Sequence, residues 1–264
     1  MSPLQPLRRP NRLLQALEPD DLALLLPHLR PRDIPLKQIV IAADAPVSTI
    51  VFPESGLVSI TADDVEIGMI GREGAVGATL VLLGSGQGPH VHLVQVAGTG
   101  HEIDVPKFEA ALARSPGMRQ VFLQFIHVLM VQMGETATVN GRHSTVVRLA
   151  RWLLMCDDRI QADDVPITHE FLAVMLGVHR PGVTLAIQAL EERHLIRGRR
   201  ALVQLLDRPG LERFAAASYG MSEAEYARLF GSARADAEAI GPRSVDRRDT
   251  VDREHDLGNA DQDA

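Results

Sequence analysis

Hydrophobic residues change their period several times along the 264-residue chain, and each change marks out a region. Residues 11–30 carry two short helical patterns, NRLLQAL and PDDLALLLPHL, with Asn11 and Asp20 as helix starts. The period then shortens. KQIVIAA, STIVFPESGLVSIT, VEIGMIG and HVHLVQVAGTGHEIDV are β-branched runs punctuated by Gly, Pro and Asp. They predict an antiparallel β-roll or barrel over about residues 34–105, with a turn at Pro53 and Gly56. After Ser115, a good N-cap followed by Pro116, the helical period returns in a long apolar helix. Met118, Phe122, Phe125, Leu129 and Gln132 follow one another at heptad-like steps. Val121, Ile126, Val128, Met130 and Met133 make the helix apolar on further faces. One face is therefore expected to rest on the β-roll, and the five-residue stripe to form a parallel seam with a second copy. A core helix within a monomer is the alternative. VNGRHS at 139–144 reads as a hinge before another helix, STVVRLARWLLMCDD.

Beyond the hinge, ITHEFLAVMLGVHRPGVTLAIQALEERHLI holds two short helical patterns separated by Gly177. Thr168 can cap the first, with Glu170 in its first turn at the positive end of the dipole. Gly177 permits the left-handed conformation that ends a helix sharply. The second opens at His179-Arg180-Pro181, where proline loses no intrahelical hydrogen bond. Val183, Ile187 and Leu190 form its buried face, while Arg180, Thr184 and Gln188 share another. Two such helices make a helix-turn-helix whose second member can enter a major groove. Arginine can bond guanine, glutamine adenine, and threonine offers both a hydroxyl and a methyl. LIRGRRALVQLL then reads as a hairpin turning around Gly198, a wing that carries Arg197, Arg199 and Arg200 towards phosphates.

The formal net charge of −7 argues weakly against nucleic acid, but acidic residues concentrate at the C-terminus. From Ser232 the chain is polar and nearly free of large apolar residues, which predicts a disordered tail. A single cysteine, Cys156, excludes an internal disulfide or a cluster held by four cysteines of the same chain, and its helical apolar setting suggests a buried structural thiol. No apolar run approaches the roughly 18–20 residues of a membrane span, and the N-terminus lacks a secretory signal. A cytoplasmic location without membrane association is the expectation.

With these residues in view, the chain resembles the Crp/Fnr superfamily of bacterial transcription regulators over about residues 12–213. The helix-turn-helix segment and its hairpin carry the resemblance, together with VFPESGLVSI and EIGMIGREGAVG in the β-roll. It implies an α+β fold: a cyclic-nucleotide-binding-like antiparallel β-roll, a long dimerisation helix and a C-terminal winged helix-turn-helix. The corresponding divisions are 1–33 (N-terminal helices), 34–112 (β-roll), 113–141 (dimerisation helix and hinge), 142–213 (DNA-binding domain) and 214–264 (C-terminal extension). The resemblance further implies a homodimer on a palindromic operator of double-stranded DNA, with RNA polymerase as a candidate further partner. Arg180, Thr184 and Gln188 would read bases, and Arg197, Arg199 and Arg200 would hold phosphates. Thr168, His179, Pro181, Gly182 and Leu185 complete the expected contact set, and Met118, Phe122, Phe125, Leu129 and Gln132 are the expected dimer interface.

The chain departs from the family where effectors bind. Cyclic-AMP-binding members carry a Gly-Glu-Leu segment and an arginine on the phosphate. Here Ala78 stands where the ribose-contacting glutamate would be, and no arginine occurs between Arg72 and Arg114. A cyclic phosphodiester would lack its charge-assisted partner, so cyclic AMP is disfavoured. One cysteine likewise disfavours an iron–sulfur cluster. In the reading helix Pro181 replaces the best-known member's glutamate and Leu185 its second arginine, which implies a different operator. No cofactor is identified and no catalytic triad or Cys-His pair stands out, so an enzyme is not expected. The alternative from another class is a cupin-like metal-binding enzyme using His90, His92 and His101. GSGQG at 84–88 is followed by Pro89 and a strand pattern rather than a helix, so it is not a dinucleotide fingerprint.

Overall fold

The computed structural model describes residues 11–160 and 164–231; the tail from Ser232 expected to be disordered lies outside the described residues. The N-terminal helices are α1 (Arg12–Gln15) and α2 (Pro19–Leu25). Asn11 caps α1 by accepting from the Leu14 amide at 3.0 Å, and its own amide donates to the carbonyls of Pro53 and Gly74. This one buried side chain both starts a helix and fastens it to the sheets.

The β-roll contains two antiparallel sheets. One has the order β1-β7-β3, with β1 (Arg30–Ile34), β3 (Thr49–Pro53) and β7 (Gly98–Asp104). The other has the order β2-β6-β4-β5, with β2 (Ile39–Ile41), β4 (Leu57–Ala62), β5 (Val65–Ile70) and β6 (Val91–Val96). Ile34, Ile50, Phe52 and Ile103 from the first sheet share a core with Ile41, Val58, Ile70 and Val94 from the second. The period-two runs therefore give strands, as expected. Strand β1 is an addition: its RPRDI sequence falls where the pattern predicts the end of the N-terminal helices. Instead it pairs with β7, where Arg30 and Arg32 form ion pairs with Glu102 and Arg30 also bonds Asp104. Charge pairing across an edge, rather than an apolar run, supports this strand. Two helices also escape the sequence pattern, α3 (Ala78–Leu82) and α4 (Val105–Arg114).

The long helix α5 spans Pro116–Arg142, with Ser115 accepting from the Met118 amide as its cap. Its orientation corrects the expected dimer seam. Met118, Phe122, Phe125 and Leu129 lie in the chain's own core. The Phe122 ring packs against Phe108 at 4.9 Å and Phe52 at 6.1 Å. Phe125 sits over Gly74, where any Cβ would fall 2.4 Å from the ring. Gln132 accepts from the Met69 amide at 2.7 Å and donates to the Met69 carbonyl at 3.3 Å, so its side chain closes the open edge of β5. A heptad stripe reports burial, and here the β-roll supplies the burial. The face left open carries Met130, Gly134, Ala137 and Gly141, again at heptad-like steps, while Leu123 is half-buried against the core and His127 lies beside Glu225.

A break at His143–Ser144 leads into α6 (Thr145–Ile160), followed by β8 (Asp164–Val165), α7 (His169–Met175) and α8 (Arg180–Glu191). Strands β9 (Ile196–Arg199) and β10 (Leu202–Leu205) then join β8 in a sheet of order β8-β10-β9. Helix α9 (Arg208–Ala215) closes this unit. Its core of Leu149, Leu153, Cys156, Leu172, Val183, Ile187, Leu190 and Leu211 is continuous with Leu57, Met69 and Val96 of the β-roll. The two halves are thus packed together by side chains as well as joined by the hinge. Helix α10 (Met221–Phe230) returns to α5: Glu135 accepts from the amides of Met221 and Ser222, His127 lies 2.8 Å from Glu225, and Arg12 stacks over Tyr226.

Candidate nucleic-acid interface

Local chemistry builds the reader in sequence order. Thr168 caps α7 by accepting from the Phe171 amide at 3.2 Å. Gly177 ends the turn at φ +57°, and the α7 and α8 axes are bent by 107° across it, within the range of a helix-turn-helix. A Cβ at Gly177 would lie 3.1 Å from Val65, so backbone handedness and close approach both call for glycine. Gly177→Val is expected to lower stability by about 1–2 kcal/mol from the left-handed conformation alone, read as a shift of the denaturation midpoint. His179 is the N-cap residue of α8 and Pro181 lies in its first turn. Val183, Ile187 and Leu190 are buried beneath it, as their spacing predicts.

The opposite side of α8 faces outward. His179, Arg180, Pro181, Leu185 and Gln188 are exposed, and Leu185 keeps 66% of its surface. Thr184 differs from the sequence expectation. Its hydroxyl donates to the Arg180 carbonyl at 3.3 Å and lies 3.3 Å from His169 Nδ1, which leaves it half-buried between the two helices. Gly182 is also only partly exposed, although a methyl group at its Cα would project into open space. The outward stripe is therefore Pro181, Leu185 and Gln188, flanked by Arg180.

The wing carries Arg197, Arg199 and Arg200, all exposed. Its turn lies at Arg200–Ala201, with Ala201 at φ +59°, rather than around Gly198. Gly198 instead sits inside β9, where its amide donates to the Glu191 carboxylate at 2.7 Å. Glu191 thereby ties the wing to the end of α8. Nothing in the sequence singles it out, because its partner is a backbone amide with no signature of its own.

Charge is distributed unevenly. Arg148 bonds Asn140 and the Leu176 carbonyl, Arg151 pairs with Glu135, and Arg159 pairs with Glu73 at 2.8 Å. Arg208 bonds Asp157, Asp158 and Glu212; Arg213 lies 3.8 Å from Asp207, and Arg193 stacks on Phe214. Among the described residues, Arg180, Arg197, Arg199 and Arg200 form no ion pair. From α6 to α9, the arginines without a partner among the described residues are those on the reading helix and the wing.

The histidine alternative does not assemble. His92 is buried in β6, where burial pushes its pKa down to about 4, whereas His101 lies in the other sheet beside Glu54 at 3.2 Å. His90 is partly exposed just outside β6. Among the described residues no group of three or more His, Cys, Asp or Glu is placed to hold a metal ion. Cys156 is buried, and burial raises its pKa well above the usual thiol range, which keeps the thiol neutral and unreactive. No single described helix is long and apolar enough to cross a membrane.

Comparison with known proteins agrees with this geometry. Residues 147–214 match the family described as "Crp-like helix-turn-helix domain". No curated protein sequence matches the chain. Among solved structures, a putative Crp/Fnr-family transcriptional regulator from Eubacterium rectale is 16% identical, with 77% of this chain and 97% of that one covered at a TM-score of 0.59. The c-di-GMP-responsive global regulator CLP of Xanthomonas campestris is 18% identical, covering 72% and 100% at 0.59. FixK2 of Bradyrhizobium japonicum is 14% identical, covering 72% and 98% at 0.60. The chain carries a Crp-like helix-turn-helix domain on the fold of the Crp/Fnr regulators.

Proposed function

We propose that the protein is a sequence-specific, DNA-binding transcription regulator of Crp/Fnr type that acts as a homodimer. The observation that carries this reading is the set of unpaired guanidinium groups on α8 and the wing, in a domain whose other arginines are engaged within the chain. Arg180 is suited to two hydrogen bonds on guanine and Gln188 to two on adenine, while Leu185 offers an apolar contact for a thymine methyl. Arg197, Arg199 and Arg200 are suited to phosphates, with Thr168, His179, Pro181 and Gly182 nearest the sugar–phosphate backbone.

Two readers need a two-fold partner, and the open face of α5 is the surface we assign to it. Met130, which keeps 64% of its surface, supplies an apolar contact on this face. Gly134 and Gly141 have open space where a side chain would project, so a second helix can approach closely. The effector is left unassigned: Ala78 and the arginine-free stretch from 73 to 113 speak against cyclic AMP.

Arg199→Ala tests the phosphate role. It is expected to weaken binding about equally for all duplex sequences and to reduce the slope of log affinity against log salt by about one. Fluorescence anisotropy over a salt series measures this. An unchanged slope would remove Arg199 from the interface.

A further inference from the structure

The reader docks on the β-roll around a buried carboxyl group. Glu66 on β5 is 5% exposed, and each of its oxygens accepts hydrogen bonds. Oε1 accepts from the Trp152 indole of α6 at 3.0 Å; Oε2 accepts from the Gln95 amide of β6 at 2.9 Å and from the Ser59 hydroxyl of β4. The same Gln95 nitrogen lies 2.6 Å from Met175 Sδ on α7. One acid side chain thus joins three strands to the first two helices of the DNA-binding unit. Val65, its neighbour on β5, supports Gly177 in the turn between the helices.

We propose that the Glu66 carboxyl is a proton-operated latch: neutral, it holds the winged helix docked on the β-roll, and ionised, it loosens that docking. The cluster can accommodate both forms. The Ser59 hydroxyl can turn to accept the added proton, and Gln95 Oε1, buried with no partner, becomes an acceptor if the amide rotates. A buried carboxylate without a matching charge is costly, whereas its neutral form is not.

The charged groups facing Glu66 do not remove that cost. Arg151 and Arg159 on α6 both favour the ionised form, but Arg151 also pairs with Glu135 and Arg159 with Glu73. Cys156 on α6 stays neutral, and Ser59, Gln95, Trp152 and Met175 carry no charge. Burial dominates and pushes the Glu66 pKa up to about 7 against the hydrogen bonds from Ser59 and Trp152. A carboxyl released to solvent would return to about 4.3, so the docked state binds the proton more tightly. Docking is strongest below that lower value, weakens by up to about tenfold per pH unit as pH rises, and levels off once pH passes about 7. If docking fixes the angle of α8, the latch would tune DNA affinity. That consequence rests on the proposed function, while the latch itself is measurable without DNA.

Trp152 is the only tryptophan in the chain, so its emission reports on the latch directly. In the full-length protein without DNA, the emission maximum is expected to move to longer wavelength as pH rises from about 4.5 to about 7 and the indole becomes hydrated. Glu66→Gln keeps the neutral hydrogen-bonding pattern and is expected to hold the short-wavelength position throughout. An unaltered chain with no shift, or a Glu66→Gln variant that shifts with the same midpoint, would overturn the proposal. Should that variant fail to fold, hydrogen exchange in α7 of the unaltered chain decides. Protection, corrected for intrinsic exchange, should fall as pH rises, and constant protection contradicts the latch.

Discussion

Replacing Phe122 with alanine is expected to lower the unfolding free energy by about 3–5 kcal/mol, the range for emptying an aromatic site in a packed core. Phe122 is fully buried and holds the long helix to the β-roll through Phe52 and Phe108. Chemical denaturation at fixed protein concentration gives the value. Met130→Glu provides the contrast, because Met130 keeps 64% of its surface on the open side of the helix. Its effect on the fold is expected to stay within about 0.5 kcal/mol, while a charge at the proposed helix–helix seam weakens self-association, read by sedimentation velocity. The reverse pattern, a Phe122→Ala chain that dissociates without losing stability, would return the seam to the buried stripe.

Loss of the base-reading groups has the second large effect. Gln188→Ala removes two hydrogen bonds without changing charge, so it is expected to cost about 1–3 kcal/mol at one base-pair position of each half-site and leave the salt slope unchanged. Arg180→Ala removes a base contact and a cation together, so it should lower specific affinity by a similar amount and reduce the salt slope as well. The two residues stand eight positions apart on α8, about 12 Å along its axis, which favours near-additive losses of about 2–6 kcal/mol in the double variant. Binding to unrelated duplex should change far less than binding to the preferred site. Equal losses on all sequences would place both residues outside base readout.

Signals confined to a few neighbouring residues are legible in the sequence itself. Asn11, Ser115 and Thr168 act as caps because each is a short polar side chain ahead of a helical pattern, and each accepts an amide three positions on. Gly177 marks its turn because a positive φ favours glycine. The direction of burial is not legible. The stripe from Met118 to Gln132 has the same spacing whether it meets a sheet or a second helix, and only the β-roll's position decides. The wing turn is displaced for a related reason: glycine at 198 suggests a turn, but its missing side chain serves contact with Glu191 and Ile187, and Ala201 takes the positive φ. Strand β1 is hidden by its proline and charges, which make sense only opposite Glu102 and Asp104. The Glu66 cluster draws Ser59, Gln95, Trp152 and Met175 from separate elements, and no local pattern joins them.

Selection of bound duplexes from a random pool, using the full-length chain, tests the central claim most directly. The expected product is a two-fold-related sequence with half-sites about one helical turn apart, and its enrichment should disappear with the Arg180→Ala, Gln188→Ala double variant. A pool that gains no sequence preference, or one whose preference survives the double variant unchanged, would contradict the reading of α8 as the DNA-recognition element.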